Sequence, residues 1–306
     1  MKQLHESIEE WMVKYKKNSV KTATYDRLLT SFNLMKNYKV AYVYIDVLCG
    51  DDIQEYINRL VVDEYALTTI KKQYNLLTGY LKYANAEGLI AKPIHNSVKL
   101  PSQSVVKKPK KEVFAYGELE QMKLRRVLKT HKHSTYDVAY FMMETGTRVG
   151  EALAVCWEDV DWARRSIRIN KTFVRLGNAK KQFIQDSAKS FTSNRTIPLS
   201  TDAITLLKYL YEKEPDASGY IFHKEDGSAM TYEAMRYQIT EACNEAKVPY
   251  YGQHVFRHTF ATNCYNRGCD VKILSKLLGH ADVTVTYNIY IHLFGDALEE
   301  MRKVIG

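Results

Sequence analysis

No run of apolar residues in this chain approaches the roughly 20 that a membrane-crossing helix requires, so a transmembrane protein is excluded. The N-terminus, MKQLHESIEEWMVKYKK, interleaves charge with apolar residues and therefore lacks the continuous apolar core of a secretory signal. Cysteine is scarce. The five present, Cys49, Cys156, Cys243, Cys264 and Cys269, are odd in number and show no CxxC spacing. That pattern excludes a disulfide framework or zinc ribbon and predicts free thiols in a reducing cytoplasm. There is no P-loop, no carboxylate cluster of metal-binding spacing, no internal repeat and no low-complexity segment. Acidic residues are the minority charge, 35 against 44 Lys and Arg, which leaves a formal net charge of +9.

What is present is a chain of 306 residues, 45% hydrophobic and 26% charged, the composition of a folded globular protein of about two domains. The basic excess favours an anionic partner, nucleic acid or a membrane surface. It is unevenly spread: the residues through Glu112 carry net +6, those after it +3. There are 23 tyrosines, which composition alone does not rank.

Residues 1–100 read as four short amphipathic helices forming a small bundle. Leu4, Ile8, Trp11, Met12 and Tyr15 share one helical face. Tyr25, Leu28, Leu29 and Phe32 follow Thr22 or Thr24, either a suitable N-cap. Asp51 and Asp52 precede the series Ile53, Tyr56, Ile57, Leu60, Val61, and a fourth helix opens at Thr68 or Thr69 and stops near Gly88. Residues 101–112 form a lysine-rich linker within the stretch VKLPSQSVVKKPKKE. Read blandly it is a solvated hinge; read sharply, Lys107, Lys108, Lys110 and Lys111 lie along a phosphate backbone. Residues 113–306 are mixed. Helices are predicted at Glu118–Leu128 and Tyr136–Glu144, a β-rich stretch from Ile167 to Leu199, and helices again at Ile204–Tyr211, Tyr232–Ala246 and beyond His254. The fold class is mainly α with a small antiparallel sheet, an α+β domain.

Three segments place functional polar side chains within apolar helices. In ETGTRVGEALAV, Gly146 ends one helix, Thr147 caps the next, and Arg148 enters it. In YGQHVFRHTFAT, His254 and Arg257 are spaced i, i+3 and share a face, with His258 assigned to a different, buried face. In LLGHADVTVTYNIYIH, Gly279 terminates a helix, His280 sits on the turn, and Asp282 caps a last helix carrying Tyr287 and Tyr290. Each feature has an ordinary structural reading: Arg148 pairing with Glu151, His254 bonding Arg257, His280 capping carbonyls. Tyr287 and Tyr290 are i, i+3, so helical face does not separate them.

These segments resemble the three signature boxes of the tyrosine recombinases, the phage-integrase family, and AKSFTSNRTIPL resembles that family's lysine-bearing β-hairpin. The similarity runs over essentially the whole chain, and its boxes look most like integrases of phages and conjugative transposons. It implies a SAM-like four-helix core-site-binding domain joined to a catalytic domain in a C-shaped clamp around DNA. Lys92-Pro93 stands where many relatives have Asn-Pro, a departure that touches a loop. Many such integrases also carry an arm-binding domain ahead of the bundle with which this chain begins.

The resemblance assigns catalysis to Arg148, Lys189, His254, Arg257, His280 and Tyr290, with Glu151 supporting. Attack on a phosphodiester builds charge on its nonbridging oxygens, and two guanidinium forks suit those oxygens better than lysines do. His280 would add a donor, and His254 would relay a proton at neutral pH. Lys171, Lys180, Lys181 and Lys189 all lie in the β region; the hairpin pattern favours Lys189 as the acid for the departing 5′ oxygen. The box spacing, with the nucleophile nine or ten residues after the histidine and followed by x-His, favours Tyr290 and leaves Tyr287 to packing. The implied product is a 3′-phosphotyrosine, formed without a cofactor. The expected partners are double-stranded recombination sites, a homotetramer on two sites, and a host DNA-bending protein or excisionase, in a bacterial cytoplasm with nucleoid association. A mobile element would be integrated or excised. The rival readings are a type IB topoisomerase-like nicking-closing enzyme and a silent DNA-binding relative. The apolar positions Leu293, Phe294, Leu298, Met301 and Val304 of the tail would dock on a neighbour or pack in cis.

Overall fold

The computed structural model describes residues 2–109, 112–176, 182–186, 194–214 and 219–290, the side chains of 186 and 288–290 excepted. The chain separates into two compact units, one on Met1–Glu112 and one on Val113–Arg175 with the described residues from 182 onward.

The first unit is built on α1 (Leu4–Trp11), α2 (Thr22–Met35), α3 (Gly50–Val62) and α4 (Leu67–Ala86). In α3 the apolar series behaves as its spacing dictates: Ile53, Tyr56, Ile57 and Leu60 are all buried. Asp51 and Asp52 lie inside its first turn, where the helix dipole favours acid, and Asp52 accepts the Cys49 N–H at 2.9 Å. Two expectations shift. Tyr15, within a π-helical turn over Met12–Lys16, is the exposed edge of its stripe rather than part of the core, its ring 4.9 Å from that of Tyr83, which Trp11 also faces at 6.4 Å. No threonine caps α2 or α4; Lys21 and Ala66 hold those positions and the helices begin one residue later. Two buried polar pairs fix the packing, Tyr56 Oη to Gln73 at 3.0 Å and Tyr80 Oη to Ser7 at 2.7 Å. The stretch after the bundle follows this unit: Val98 and Val106 are buried in its core, Gln54 holds the Lys99 backbone, and Lys107 pairs with Glu64 at 3.0 Å.

The second unit is organised around α6 (Ser134–Thr145), buried from Thr135 to Thr145 and so apolar on nearly every face. Around it pack α5 (Glu118–Leu128), α7 (Val149–Ala154), α8 (Thr201–Lys213), α9 (Tyr232–Ala246) and α10 (Val255–Asn266), followed in the chain by α11 (Val271–Leu278) and α12 (Val283–Tyr290). Two small antiparallel sheets flank the helices. One has the order β1 (Val160–Asp161), β2 (Ser166–Ile169), β5 (Arg195–Pro198); the other is the hairpin of β3 (Lys171–Arg175) and β4 (Gln182–Asp186). Ile167 pairs with Ile197 and both are fully buried, so the inward face of β5 is fixed at Ile197 and, two residues earlier, Arg195. Among the described residues, no helix is long and apolar enough to cross a membrane.

Candidate active site

The site is assembled at the C-terminal end of α11. Gly279 adopts the left-handed conformation (φ 68°), and the His280 N–H returns to Ser275 O at 3.0 Å, the closing bond of a Schellman turn. The carbonyls left over at this helix end carry partial negative charge. Three arginines from three other elements take them in succession. Arg195 Nε donates to Leu277 O at 2.7 Å, Arg257 Nη2 to Leu278 O at 2.6 Å, and Arg148 Nη2 to Gly279 O at 3.0 Å. One helix terminus therefore gathers cations from β5, α10 and the start of α7.

Arg148 is delivered by the end of α6. Gly146 caps that helix at φ 65°, and a Cβ there would lie 2.4 Å from the Phe260 ring, so both conformation and space require glycine. Arg148, rather than Thr147, is the N-cap of α7; its N–H donates to Glu151 Oε2 at 2.8 Å. Thr147 is instead fully buried, its hydroxyl 3.0 Å from that of Thr145. Arg257 is buried and also donates from Nη1 to Gly146 O at 2.9 Å, tying α10 to the same turn.

Glu151 is the anionic centre of the cluster. It accepts Arg148 Nη1 at 2.8 Å and both terminal nitrogens of Arg195 at 3.1 and 2.8 Å, a bidentate pair. Burial by itself raises its pKa, but the hydrogen bonds and charge of Arg195, followed by the charges of Arg148 and Arg257, outweigh that and hold it at about 2. The ordinary reading of Arg148 holds, since it pairs with Glu151, yet its side chain remains 36% exposed, whereas that of Arg195 is 7% exposed.

His280 completes the cluster. Its Nε2 is 2.9 Å from Arg257 Nη2 and its Nδ1 is 2.8 Å from Thr286 Oγ1. Burial, then the charges of Arg257, Arg148 and Arg195, push its pKa down to about 3, so the ring is neutral at pH 7. A guanidinium only donates; Nε2 therefore accepts from Arg257 here. His254 is the exposed N-cap of α10. His258 does not turn to a separate face: residues four apart on a helix are neighbours, and the two rings lie 6.4 Å apart. Burial, then His254 and Arg257, lower the His258 pKa to about 4.

Of the four lysines considered, Lys171 is committed elsewhere. It sits 3.2 Å from both Glu158 and Asp159. Burial lowers its pKa, but bonds to Cys156, Asp159 and Glu158 carry it above the usual value. The same contact explains why Cys156, Glu158 and Asp159, whose ligand-type atoms lie within 4.8 Å of one another, already have a cation. Lys180, Lys181 and Lys189 lie outside the described residues, as do Lys110, Lys111 and the tail positions 293–304. Lys107 and Lys108 are exposed on the first unit. Tyr290 closes α12, with its side chain outside the described part; Tyr287, one turn earlier, is 45% exposed.

Two members of the cluster are not singled out by sequence reasoning, Arg195 and Thr286. Arg195 carried a signal: it shares the inward face of a strand with Ile197, and a charge there demands a buried partner. Thr286 carried none beyond lying one turn before Tyr290.

A family model described as the phage integrase family matches residues 118–296. A protein named tyrosine recombinase XerC-like from Caldanaerobacter subterraneus subsp. tengcongensis is 28% identical, covering 95% of this chain and 79% of its own. The transposase from transposon Tn916 of Enterococcus faecalis is 25% identical, covering 89% of this chain and 70% of its own. A solved structure of the Tn1549 transposon integrase in complex with transposon right-end DNA superposes with a TM-score of 0.83 at 19% identity, covering 100% of both chains, which establishes the shared fold.

Proposed function

The chain belongs to the phage integrase family and is a site-specific tyrosine recombinase, an enzyme that cleaves and rejoins DNA strands; on that premise we propose that Arg148, Arg257 and His280 form its phosphate site and Tyr290 its nucleophile. The observation that carries this reading is the convergence of those three side chains at the end of α11, directly before the helix that Tyr290 closes.

In this reading a DNA phosphate displaces some of the carbonyl bonds of Arg148 and Arg257 and takes their N–H groups onto its nonbridging oxygens. The fold already gathers these donors at one place, so the phosphate exchanges carbonyl partners rather than assembling the site. Tyr290 Oη attacks phosphorus, its proton passes to His254, and the bond to the 5′ oxygen breaks, that oxygen taking a proton from Lys189. A phenol ordinarily titrates near pH 10, and the adjoining cations favour its anion. The 3′-phosphotyrosyl ester retains the energy of the bond it replaces, so attack by a 5′ hydroxyl reverses the step. Glu151 and Arg195 keep Arg148 and the α11 terminus in place.

The relatives include a transposon transposase, and the shared fold includes a transposon integrase on transposon-end DNA. We assign to this chain the integration or excision of a mobile element, acting as four copies on two duplex sites. Residues 1–100 would contact the core site, and Lys107, Lys108, Lys110 and Lys111 its backbone, with a DNA-bending protein or excisionase assisting in the cytoplasm at the nucleoid. The test uses two duplexes carrying the DNA that flanks the gene. Recombinant joints are the expected product. Supercoil relaxation without joints would instead identify a nicking-closing enzyme, and occupancy without any cleavage a silent binder.

A further inference from the structure

His280 can donate to a phosphate only with a proton on Nε2, and its two hydrogen-bond partners point instead to a proton on Nδ1. Arg257 Nη2, a donor, faces Nε2 at 2.9 Å. A neutral imidazole has a single N–H, so here it is Nδ1 that carries hydrogen, and it donates to Thr286 Oγ1 at 2.8 Å. A phosphate oxygen entering beside Arg257 would then meet the Nε2 lone pair.

We propose that Thr286 is a positioning residue that selects the tautomer of His280 and permits the switch to the Nε2–H form when a phosphate enters. A hydroxyl both accepts and donates. With the site empty, Thr286 Oγ1 accepts from Nδ1–H. When the phosphate draws Arg257 away from Nε2, Nε2 takes a proton from solvent water and Nδ1 gives its own back to solvent, so the ring ends neutral with no net uptake. Thr286 then rotates its own O–H toward Nδ1, and Nε2–H donates to the phosphate. Serine can replace threonine in this role; valine, of the same shape, can do neither half of it. Thr286 is fully buried and lies four residues before Tyr290 on α12. The state of His280 is therefore tied to the seating of the helix that brings the nucleophile. The proposal rests on the phosphate-site reading above.

The test has two arms on the full chain. In the first, the protein is labelled with 15N-histidine, and the long-range ring correlations of His280 are assigned by their loss in His280→Gln. Expected are an Nδ1–H tautomer in the free protein and an Nε2–H tautomer with saturating orthovanadate, a phosphoryl mimic. Nε2–H in the free protein, or Nδ1–H retained with vanadate, overturns the proposal. In the second, covalent adduct formation on a nicked duplex from the gene's flanking DNA is timed. Thr286→Val is expected to slow it by about 10-fold or more, the loss of about one buried hydrogen bond. Thr286→Ser is expected to stay close to the wild type, with thermal melts confirming that both variants fold. Valine as fast as threonine, or serine as slow as valine, overturns it. If the wild type forms no adduct, the recombinase reading fails instead, and the free-protein tautomer still decides the Thr286 contact.

Discussion

At the scale of single residues, the site is a buried charge cluster whose balance depends on pH in a calculable direction. His280 and His258 have folded pKa values of about 3 and about 4, both below the ordinary 6.5. A histidine depressed in the fold leaves stability intact above its unfolded pKa and erodes it as pH falls toward the folded value, because the unfolded chain binds the proton first. Between pH 7 and pH 5 this removes up to about 2 kcal/mol at His258 and less at His280, whose greater exposure lets solvent screen the arginine charges. Glu151, at about 2 against 4.5, acts in the same direction but lower, with its stabilisation present above about pH 4.5 and lost toward pH 2. Urea denaturation at pH 7 and pH 5 is expected to show the early loss in the wild type and a clearly smaller one in His258→Gln; equal losses in both would refute this assignment. The residues most readable in the sequence were those whose type already states the chemistry: Arg148, Arg257, His280 and the helix-ending Gly279. Arg195 and Thr286 were not, since their part depends on which buried atoms they meet. The same dependence misplaced His258, whose spacing of four from His254 puts the two rings side by side.

At the scale of elements, α7 is the short helix that carries Glu151 and begins at Arg148, and Gly150 is what lets it approach the β3–β4 hairpin. A Cβ on Gly150 would lie 2.3 Å from Tyr232 Oη, 2.4 Å from Phe173 O and 2.6 Å from Thr172 Oγ1. Two of these atoms already bond each other, Tyr232 Oη donating to Phe173 O at 2.7 Å. Gly150→Ala must push α7 off the hairpin and is expected to destabilise the protein by about 1–3 kcal/mol, read as a lower urea midpoint. An unchanged midpoint would mean that the packing there is looser than described. Helices with one apolar stripe, α3 above all, were legible because the period alone fixes the buried face. Helix starts were less so, since Lys21 and Ala66 stand at the cap positions without any side-chain cap bond. The π-helical turn at Met12–Lys16 had no sequence signature.

At the scale of the whole molecule, the +9 charge now divides by task. Part of the cationic charge, Arg148, Arg195 and Arg257, is held inside the second unit against one carboxylate and a helix end. Exposed lysines such as Lys107, which pairs with Glu64, and Lys108 belong to the first unit. If they neutralise DNA phosphates, Lys107→Ala with Lys108→Ala is expected to weaken duplex binding. The slope of log affinity against log salt is then expected to flatten by about 0.9 for each phosphate no longer neutralised. An unaltered slope would remove them from the interface. The fold class, mainly helical with small antiparallel sheets, followed from the switch between helical and alternating patterns. Of the 23 tyrosines, Tyr56, Tyr80, Tyr116 and Tyr136 are buried packing residues, and one is assigned the chemistry. The measurement that tests this assignment most directly is mass spectrometry of the covalent product trapped on a nicked duplex. The account predicts a nucleotide-bearing peptide modified at Tyr290, lost in Tyr290→Phe and retained in Tyr287→Phe. An adduct that maps to Tyr287, or one that persists in Tyr290→Phe, would contradict it.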